Sequence, residues 1–300
     1  MNKRCVFNRS LSSSNSRIAE RARLALADDA GNGDTTSLAL IPKNSRAKAF
    51  IISNSRGVLC GLFEARAIFR GLCVKELKRE GERIRAGEKI IFVEGNAREI
   101  LARARTALNY LQVLSGIATA TKNLASRFPN KIASLRKTHP CLTYSEKRAV
   151  KIGGGLTHRL NLGDGILIKK EHLALLGGGK NSIKKALSLA SRYRDSHSLR
   201  VPIEIEVESF EQAVFAAEFA RAKKVPDAIM LDNFSARDAK QTIQKIKSIS
   251  PRVLIECSGG IDEKNAAAYV RAGADVISTS ALTLRARPLD FHLLIRKIMG

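Results

Sequence analysis

Strand-like and helix-like segments alternate along the second half of this 300-residue chain. Between residues 131 and 281, short runs rich in Ile, Val and Leu recur as IASLRKT, GILIKK, IEIEVES, DAIMLDN, VLIECSGG and DVISTSA. Helical patterns such as FEQAVFAAEFARA and ARDAKQTIQKIKSI separate most of these runs. Strands that alternate with helices form right-handed β-α-β units, so this half predicts an α/β fold around a parallel sheet.

Polar residues end each of the predicted strands. In chain order they are Arg136-Lys137, Lys169-Lys170, Glu206 to Glu208, Asp232-Asn233, Ser258 to Gly260 and Ser278 to Ser280. The carboxyl ends of parallel strands converge on one rim when the sheet closes into a barrel, and that rim holds the active site of such barrels. Cations come first along the chain and carboxylates follow. The sequence therefore predicts that this rim carries both positive and negative groups.

The stretch VLIECSGGIDEK joins a buried strand to two glycines and an acidic turn. Gly259 and Gly260 allow the backbone to approach a ligand closely. We expect a helix to begin near Asp262, with outward N–H groups and a dipole that stabilise a bound phosphate. Barrels often build phosphate sites from the loops after their last two strands, and the second such loop here is STSA, which contains Ser280.

The first half of the chain has a different pattern. A helix is predicted over Ile18–Asp28, followed by extended segments in AKAFIISNSRGVLCG and GERIRAGEKIIFVEGNA. A long helical pattern then runs from about Arg98 to Ala125, and Gly116 marks a point where that helix could break. This half predicts a small α+β layer.

The chain is strongly basic, with 52 Lys and Arg against 28 Asp and Glu and a net charge of +24. Such a charge attracts nucleic acid, anionic metabolites or a membrane surface. Aromatic residues make up only 5% of the chain, and single-stranded nucleic acid is usually bound on aromatic platforms, so nucleic-acid binding is the weaker interpretation. No apolar run is long enough to span a bilayer.

The five cysteines and five histidines have no metal-site spacing. Neither C-x-x-C nor H-E-x-x-H occurs, so the sequence predicts neither a disulfide framework nor a histidine-held metal. An odd number of cysteines favours a reducing interior, and the expected location is the cytoplasm.

Several long strings resemble the quinolinate phosphoribosyltransferase family, also called nicotinate-nucleotide pyrophosphorylase (decarboxylating). They are ARTALNYLQVLSGIAT, RKTHP, EKRAVKIGGGLTHRLNLGDGILIKKEH, EIEVES, IMLDN and IECSGGI, and DDAGNGDTTSLALIP is similar to the opening segment of the family. The resemblance spans about Ala22 to Asp290. It implies an N-terminal α+β sandwich joined to an incomplete, seven-stranded α/β barrel of the type II phosphoribosyltransferase kind.

The resemblance also implies a reaction. Quinolinate and phosphoribosyl pyrophosphate would give nicotinate mononucleotide, pyrophosphate and carbon dioxide, a step in de novo NAD biosynthesis, with Mg²⁺ and without an organic cofactor. The expected assembly is a homodimer with a shared active site, or a hexamer, with no membrane partner.

Site residues follow from the same resemblance. The quinolinate carboxylates are assigned to Arg136, His158, Arg159 and Lys169, with Arg105 reaching across from the partner subunit. Lys137 is assigned to catalysis at the pyrophosphate, and Glu206 and Asp232 to catalysis near the ribose and to the metal. The 5′-phosphate is assigned to Ser258, Gly259, Gly260 and Ser280. The residue types suit this chemistry, because guanidinium forks pair with carboxylates and phosphates while Mg²⁺ prefers oxygen ligands.

Three positions depart from the family pattern. Leu135 replaces a usual Thr before RKT, Ser280 replaces a usual Gly, and KKEH replaces the more usual KDNH, which places Lys170 and Glu171 beside Lys169. They keep open a second enzyme class, a paralogue of the same fold such as the molybdenum-utilisation homologue. A basic nucleic-acid-binding protein with this fold is the alternative outside enzymes.

These observations divide the chain into four parts. Residues 1–17 are predicted to be a disordered tail, although their Ser- and Arg-rich, acid-free composition also leaves organellar targeting open. Residues 18–125 form the N-terminal domain, residues 126–282 the barrel domain, and residues 283–300 a segment that packs back on the N-terminal domain.

Overall fold

The chain folds into two units whose residues interleave along the sequence, and a computed structural model describes residues 6–8, 11 and 15–299. The described parts of residues 1–9, 124–137 and 155–281 form what we call the barrel unit. The described parts of residues 10–123, 138–154 and 282–300 form the N-terminal unit. Within the described residues, no helix combines the length and the apolar character needed to cross a membrane.

The N-terminal unit contains a four-stranded sheet of order β12-β1-β5-β3. Its strands are β1 (Arg46–Ser53), β3 (Cys73–Glu76), β5 (Lys89–Asn96) and β12 (Phe291–Met299), and the short strands β2 (Gly57–Val58) and β4 (Arg83–Ile84) pair separately. Its helices are α1 (Asn15–Ala30), α2 (Thr35–Leu40), α3 (Leu62–Ile68), most of α4 (Ala97–Arg127) and α5 (Thr143–Ile152). β12 pairs antiparallel with β1, so the last part of the chain lies in this unit.

Helix α4 runs without a break through Gly116, where the sequence suggested one. A Cβ atom at Gly116 would lie 2.3 Å from the carbonyl oxygen of Arg287 and 3.0 Å from Cα of Pro288. The glycine therefore admits a crossing backbone segment and does not end the helix.

The sequence placed residues 138–154 in the barrel domain, but the structure places them in the N-terminal unit. Arg148 of α5 forms ion pairs with Glu64 (3.5 Å) and Glu80 (3.2 Å) of that unit. A Cβ atom at Gly153 would lie 2.5 Å from the carbonyl oxygen of Ala118, so α5 ends in close contact with α4. These long-range contacts, which periodicity does not reveal, decide the assignment.

The barrel unit contains one parallel sheet of order β6-β11-β10-β9-β8-β7. Its strands are β6 (Ile132–Ser134), β7 (Ile166–Ile168), β8 (Ile203–Val207), β9 (Ala228–Asp232), β10 (Leu254–Ser258) and β11 (Val276–Thr279). The helices that follow them are α6 (Lys170–Leu175), α7 (Gly179–Ser196), α8 (Phe210–Lys223), α9 (Ala236–Ile249), α10 (Ala266–Ala272) and α11 (Ala281–Leu284). The predicted parallel sheet of alternating strands and helices is thereby confirmed.

Six strands of this sheet are described, one fewer than the resemblance implies. Leu156 forms a single parallel bridge with Ala133 on the free edge of β6, and this bridge takes the place of a seventh strand. His158 has a φ of +53°, which lies in the left-handed region. The chain therefore turns away from the sheet directly after the bridge.

Val6 and Phe7, which fall in the predicted disordered tail, are buried in the barrel unit. They pack with Ala133, Leu156 and Val276 in one apolar cluster, and Phe7 is fully buried. The expectation of a disordered tail is wrong for these two residues, because their apolar side chains fill space inside the barrel unit. Residues 1–5, 9, 10 and 12–14 lie outside the described part of the chain.

Candidate active site

Side chains on each strand of the barrel unit alternate between two faces. On β8, the buried Ile203, Ile205 and Val207 share the face toward the helices, and Glu204 and Glu206 share the inner face. The register places Met230 of β9 opposite both Glu206 and Glu256, and Asp232 opposite Ser258. The inner face therefore carries the acidic residues that interrupt otherwise apolar strands.

Lys169 and Glu206 meet at the carboxyl ends of β7 and β8. The Nζ atom of Lys169 donates to Oε2 of Glu206 at 3.0 Å, and the carboxylate is buried while the lysine side chain is 42% exposed. The backbone N–H of Lys169 donates to Nδ1 of His172 at 2.9 Å, which holds the first turn of α6 beside the strand end. One predicted quinolinate cation thus touches one predicted metal ligand.

Arg136 and Arg159 form a second positive region of the barrel unit. Nη1 of Arg159 donates to the carbonyl oxygen of Gly165 at 3.1 Å, and Oδ2 of Asp164 accepts from the backbone N–H of Leu160 at 2.8 Å. Burial lowers the pKa of the Arg159 guanidinium and the nearby charge of Arg136 lowers it further. Two guanidinium groups near enough to affect each other's charge favour a bound anion.

His158 is turned toward carboxylates of the protein. Its Nε2 atom lies 3.0 Å from Oε2 of Glu204 and 3.2 Å from Oε2 of Glu256. Burial alone would lower the pKa of the imidazole, but Glu256 and Glu204 outweigh burial and raise the pKa to about 10. The quinolinate contact implied for His158 stays a prediction, and the structure adds Glu204 and Glu256 to its surroundings.

The loop after β10 has the two positive-φ glycines that the phosphate hypothesis needs. Gly259 (φ +92°) lies against Asn233, since an added Cβ would lie 2.2 Å from Oδ1 of Asn233. Gly260 (φ +61°) has open space where a side chain would stand. Backbone in this conformation with free space in front of it suits an anion.

The helix after this loop begins at Ala266, four residues later than predicted. Oδ1 of Asp262 accepts from the N–H of Lys264 at 2.9 Å, and Oδ1 of Asn265 accepts from the N–H of Asp262 at 2.9 Å. These side chains stabilise a turn before the helix. The glycine loop, and not a helix N-terminus, is therefore the candidate phosphate contact.

The loop after β11 is tied to the glycine loop. The hydroxyl of Thr279 donates to the carbonyl oxygen of Ile261 and accepts from the N–H of Ala281 at 3.0 Å. Ser280 stands between these two residues and is half-buried. The two loops predicted to hold a phosphate are thus joined by one side chain.

Lys137 and Arg105 are the remaining residues with a predicted role. Lys137 is exposed just beyond β6 in the barrel unit, and Leu135 before it is half-buried. Arg105 is exposed on α4 in the N-terminal unit. The roles given to Lys137 and Arg105 stay predictions.

Sequence reasoning missed Glu204 and Glu256 as members of the site region. The available signal was a carboxylate at an inner-face position of an apolar strand, where an ionised group is costly unless it is paired. Sequence reasoning also missed Phe7, whose carbonyl oxygen accepts from the N–H of His158 at 2.8 Å.

Two family models match consecutive parts of the chain. A family model described as quinolinate phosphoribosyl transferase, C-terminal domain, matches residues 117–294, and its N-terminal domain counterpart matches residues 34–115. A relative from Methanothermobacter thermautotrophicus, named "Probable nicotinate-nucleotide pyrophosphorylase (carboxylating)", is 36% identical over 277 residues, covering 89% of this chain and 95% of the relative.

A plant relative and a solved structure agree with this assignment. The chloroplastic nicotinate-nucleotide pyrophosphorylase (carboxylating) of Arabidopsis thaliana is 34% identical over 286 residues, covering 91% of this chain and 81% of the relative. The structure of the nicotinate-nucleotide pyrophosphorylase from Francisella tularensis has a TM-score of 0.80 and 31% identity, covering 94% of this chain and 97% of that chain.

Proposed function

The chain belongs to the quinolinate phosphoribosyltransferase family, and on that premise we propose that it acts on quinolinate and phosphoribosyl pyrophosphate. The products are nicotinate mononucleotide, pyrophosphate and carbon dioxide. The enzyme is therefore a decarboxylating pentosyltransferase that supplies a nucleotide for NAD biosynthesis.

The observation that carries this proposal is the contact between Lys169 and Glu206 at the strand ends. Quinolinate brings two carboxylates, which need cations, and the ribose brings a carbon that becomes positive as pyrophosphate leaves, which needs carboxylates. A lysine and a glutamate 3.0 Å apart supply both requirements at neighbouring points. Arg136 and Arg159 extend the positive side of the site, and Asp232 extends the negative side.

The proposed catalysis depends mainly on charged side chains near the reacting atoms, and less on covalent bonds between the substrate and the protein. Glu206 and Asp232 stabilise the cationic sugar while the bond from C1 to pyrophosphate lengthens and the bond to the pyridine nitrogen forms. The ribosylated nitrogen is positively charged, so it stabilises the carbanion left on the adjacent ring carbon when carbon dioxide departs, and a proton from solvent then takes the place of the lost carboxylate. No organic cofactor is required for this step.

Mg²⁺ is proposed as the metal of this site. Glu206 and Asp232 are carboxylates on neighbouring strands of the same inner face, and oxygen ligands of this kind fit Mg²⁺. When bound, the ion neutralises charge on the pyrophosphate. Among the chain's own residues, Lys137 is proposed to contact the same leaving group.

A homodimer with Arg105 contributed to the partner's site is the proposed assembly, with a hexamer as the larger alternative. Exposure of Arg105 on α4 is compatible with this role. The cytoplasm is the proposed compartment, supported by the free thiols of Cys60, Cys73, Cys141 and Cys257, which suit a reducing interior.

A paralogue with another substrate is the second candidate, favoured by the half-buried Leu135 at a position where the family has a hydroxyl. Nucleic-acid binding is less well supported, because the inner-face charges meet at a rim that cannot follow a phosphate backbone. A paralogue would bind phosphoribosyl pyrophosphate and leave quinolinate unchanged.

Carboxyl-labelled quinolinate tests the proposal directly. Labelled carbon dioxide and nicotinate mononucleotide should form only when phosphoribosyl pyrophosphate and Mg²⁺ are both present. The Asp232→Asn variant should reduce both products together. Failure of the wild-type protein to form nicotinate mononucleotide above background would contradict the function.

A further inference from the structure

Three buried side chains on the inner face of the barrel unit converge on one point. His158, Glu204 and Glu256 are 5%, 4% and 0% exposed, and their candidate ligand atoms all lie within 4.8 Å of one another. Glu204 comes from β8 and Glu256 from β10, while His158 follows the bridge at Leu156. We call these three residues the His-Glu-Glu cluster.

Within the described residues, the carboxylates of the cluster pair with His158 but leave three of their four oxygens without a hydrogen bond. Oε1 of Glu204 and both carboxylate oxygens of Glu256 accept no hydrogen bond from the described residues, and these atoms are inaccessible to solvent. Oε2 of Glu256 has only the ion-pair contact with Nε2 of His158 at 3.2 Å. Buried polar atoms are nearly always satisfied, so these three oxygens indicate that a group is needed at the centre.

An apolar ring lies beside the imidazole of the cluster. The ring of Phe7 lies 5.6 Å from the ring of His158, and Phe7 itself is fully buried. The carbonyl oxygen of Phe7 accepts from the N–H of His158, which holds the backbone of that residue.

The charge of the cluster points to a divalent cation. With a protonated histidine and two ionised carboxylates, the cluster has one net negative charge in a buried place, which is costly. With a neutral histidine and a divalent cation, the same three groups have no net charge. Ligand distances of about 2.1 Å for nitrogen and oxygen give ligand–ligand separations of roughly 3.4 Å, near the observed 3.0 and 3.2 Å.

We propose that Nε2 of His158 and the carboxylates of Glu204 and Glu256 bind one divalent transition-metal ion, such as Zn²⁺, with a fourth position left for water. One imidazole and two carboxylates suit Zn²⁺ and similar ions better than Mg²⁺, which prefers oxygen ligands alone. This site is separate from Glu206 and Asp232, and His158 is its one residue that the family resemblance assigns to the substrate. Its ion has a structural role beneath the rim.

The test uses the full-length protein after treatment with a chelator. Co²⁺ is added, and its visible absorption reports low-coordinate binding to nitrogen and oxygen, while Zn²⁺ is followed by metal analysis and by the melting temperature. We expect one equivalent of either ion and an increased melting temperature. The Glu256→Gln variant, which preserves the side-chain shape, should bind Co²⁺ about 100-fold or more weakly, since even outer-shell changes cost 10- to 100-fold.

Two further variants keep the result interpretable. Glu218→Gln, an exposed change on α8, should bind Co²⁺ like the wild type. If Glu256→Gln does not fold, Glu204→Gln serves the same purpose.

The proposal is overturned if the wild-type protein shows no low-coordinate Co²⁺ absorption, which would mean that protons alone satisfy the cluster. It is also overturned if Co²⁺ binding survives Glu256→Gln and is lost in Glu206→Gln, which would place the ion at the rim.

Discussion

The Nζ atom of Lys169 lies 3.0 Å from Oε2 of Glu206, so a cation and a carboxylate of the rim hold each other before any substrate is present. Lys169 is 42% exposed and Glu206 is 8% exposed. The lysine can therefore turn toward a carboxylate of quinolinate, while the glutamate is held in place by its strand. The pair connects the two sides of the proposed site.

Replacing Lys169 by Met should lower kcat/KM for quinolinate roughly 10- to 100-fold, because a hydrogen bond to a charged group contributes about 1.5–3 kcal/mol. Initial rates at varied quinolinate concentration give this value. The exposed Lys184→Met on α7 is the matched control and should keep the wild-type rate. An unchanged kcat/KM in Lys169→Met would remove Lys169 from the site.

Mixed subunits test the role of Arg105. Arg105→Ala and Lys169→Ala proteins should each lose most of their activity, because each lacks one cation in every site. A mixture that exchanges subunits should recover roughly a quarter of the wild-type activity, since half of the dimers are mixed and each mixed dimer has one intact site. No recovery after verified subunit exchange would show that Arg105 acts within its own chain or has no catalytic role.

Gly259 and Gly260 should respond differently to alanine. A Cβ atom at Gly259 would lie 2.2 Å from Oδ1 of Asn233, so Gly259→Ala should destabilise the protein by about 1–3 kcal/mol beyond the backbone strain that both positive-φ positions share. Gly260→Ala meets no atom within 4 Å and should cost only about 1–2 kcal/mol of backbone strain. It should nevertheless raise the KM for phosphoribosyl pyrophosphate, because its methyl group would enter the proposed phosphate space.

Urea unfolding and steady-state kinetics separate these two effects. Equal loss of stability in the two variants would contradict the contact between Gly259 and Asn233. An unchanged KM in Gly260→Ala would place the 5′-phosphate elsewhere.

Leu135→Thr should improve quinolinate binding. A hydroxyl at this position can donate to a carboxylate, and one added hydrogen bond of about 0.5–1.5 kcal/mol lowers the KM roughly 2- to 10-fold. Leu135→Val is the control, because Val has nearly the shape of Thr without the hydroxyl. If the two variants have the same KM, the hydroxyl does not contact quinolinate and the paralogue interpretation gains support.

Glu64→Gln should change how stability depends on pH. Burial raises the pKa of Glu64 above its ordinary value of 4.5, and Arg148 opposes this increase. An acid with a raised pKa in the folded state costs stability increasingly as pH rises above its unfolded pKa. Glu64→Gln removes that cost, and Arg148 keeps Glu80 at 3.2 Å.

Thermal unfolding at pH 4.5 and pH 7.5 should therefore show that the variant gains melting temperature, relative to the wild type, at the higher pH. Glu20→Gln, an exposed change on α1, should leave the pH dependence unaltered. A difference that shrinks as pH rises would show that the Arg148 ion pair outweighs burial.

The alternation of strands and helices after Lys131 was sufficient to predict the parallel sheet, because period and strand-end polarity are local properties of the chain. The positions of Glu206, Asp232 and Ser258 at strand ends followed from the same pattern. The start of α10 did not follow, because Asp262 and Asn265 form hydrogen bonds in a turn that competes with helix.

What the sequence alone determined was thus the order of elements and the residue types at the rim, together with the strings that mark the family. The tertiary structure decided the rest: that residues 138–154 pack in the N-terminal unit, that Gly116 admits a crossing backbone, that Phe7 is buried, and that Glu204 and Glu256 face His158. Each of these depends on atoms brought together from distant points of the chain. The local pattern of residues along the sequence does not predict such contacts, because it depends only on residues that are neighbours in the chain.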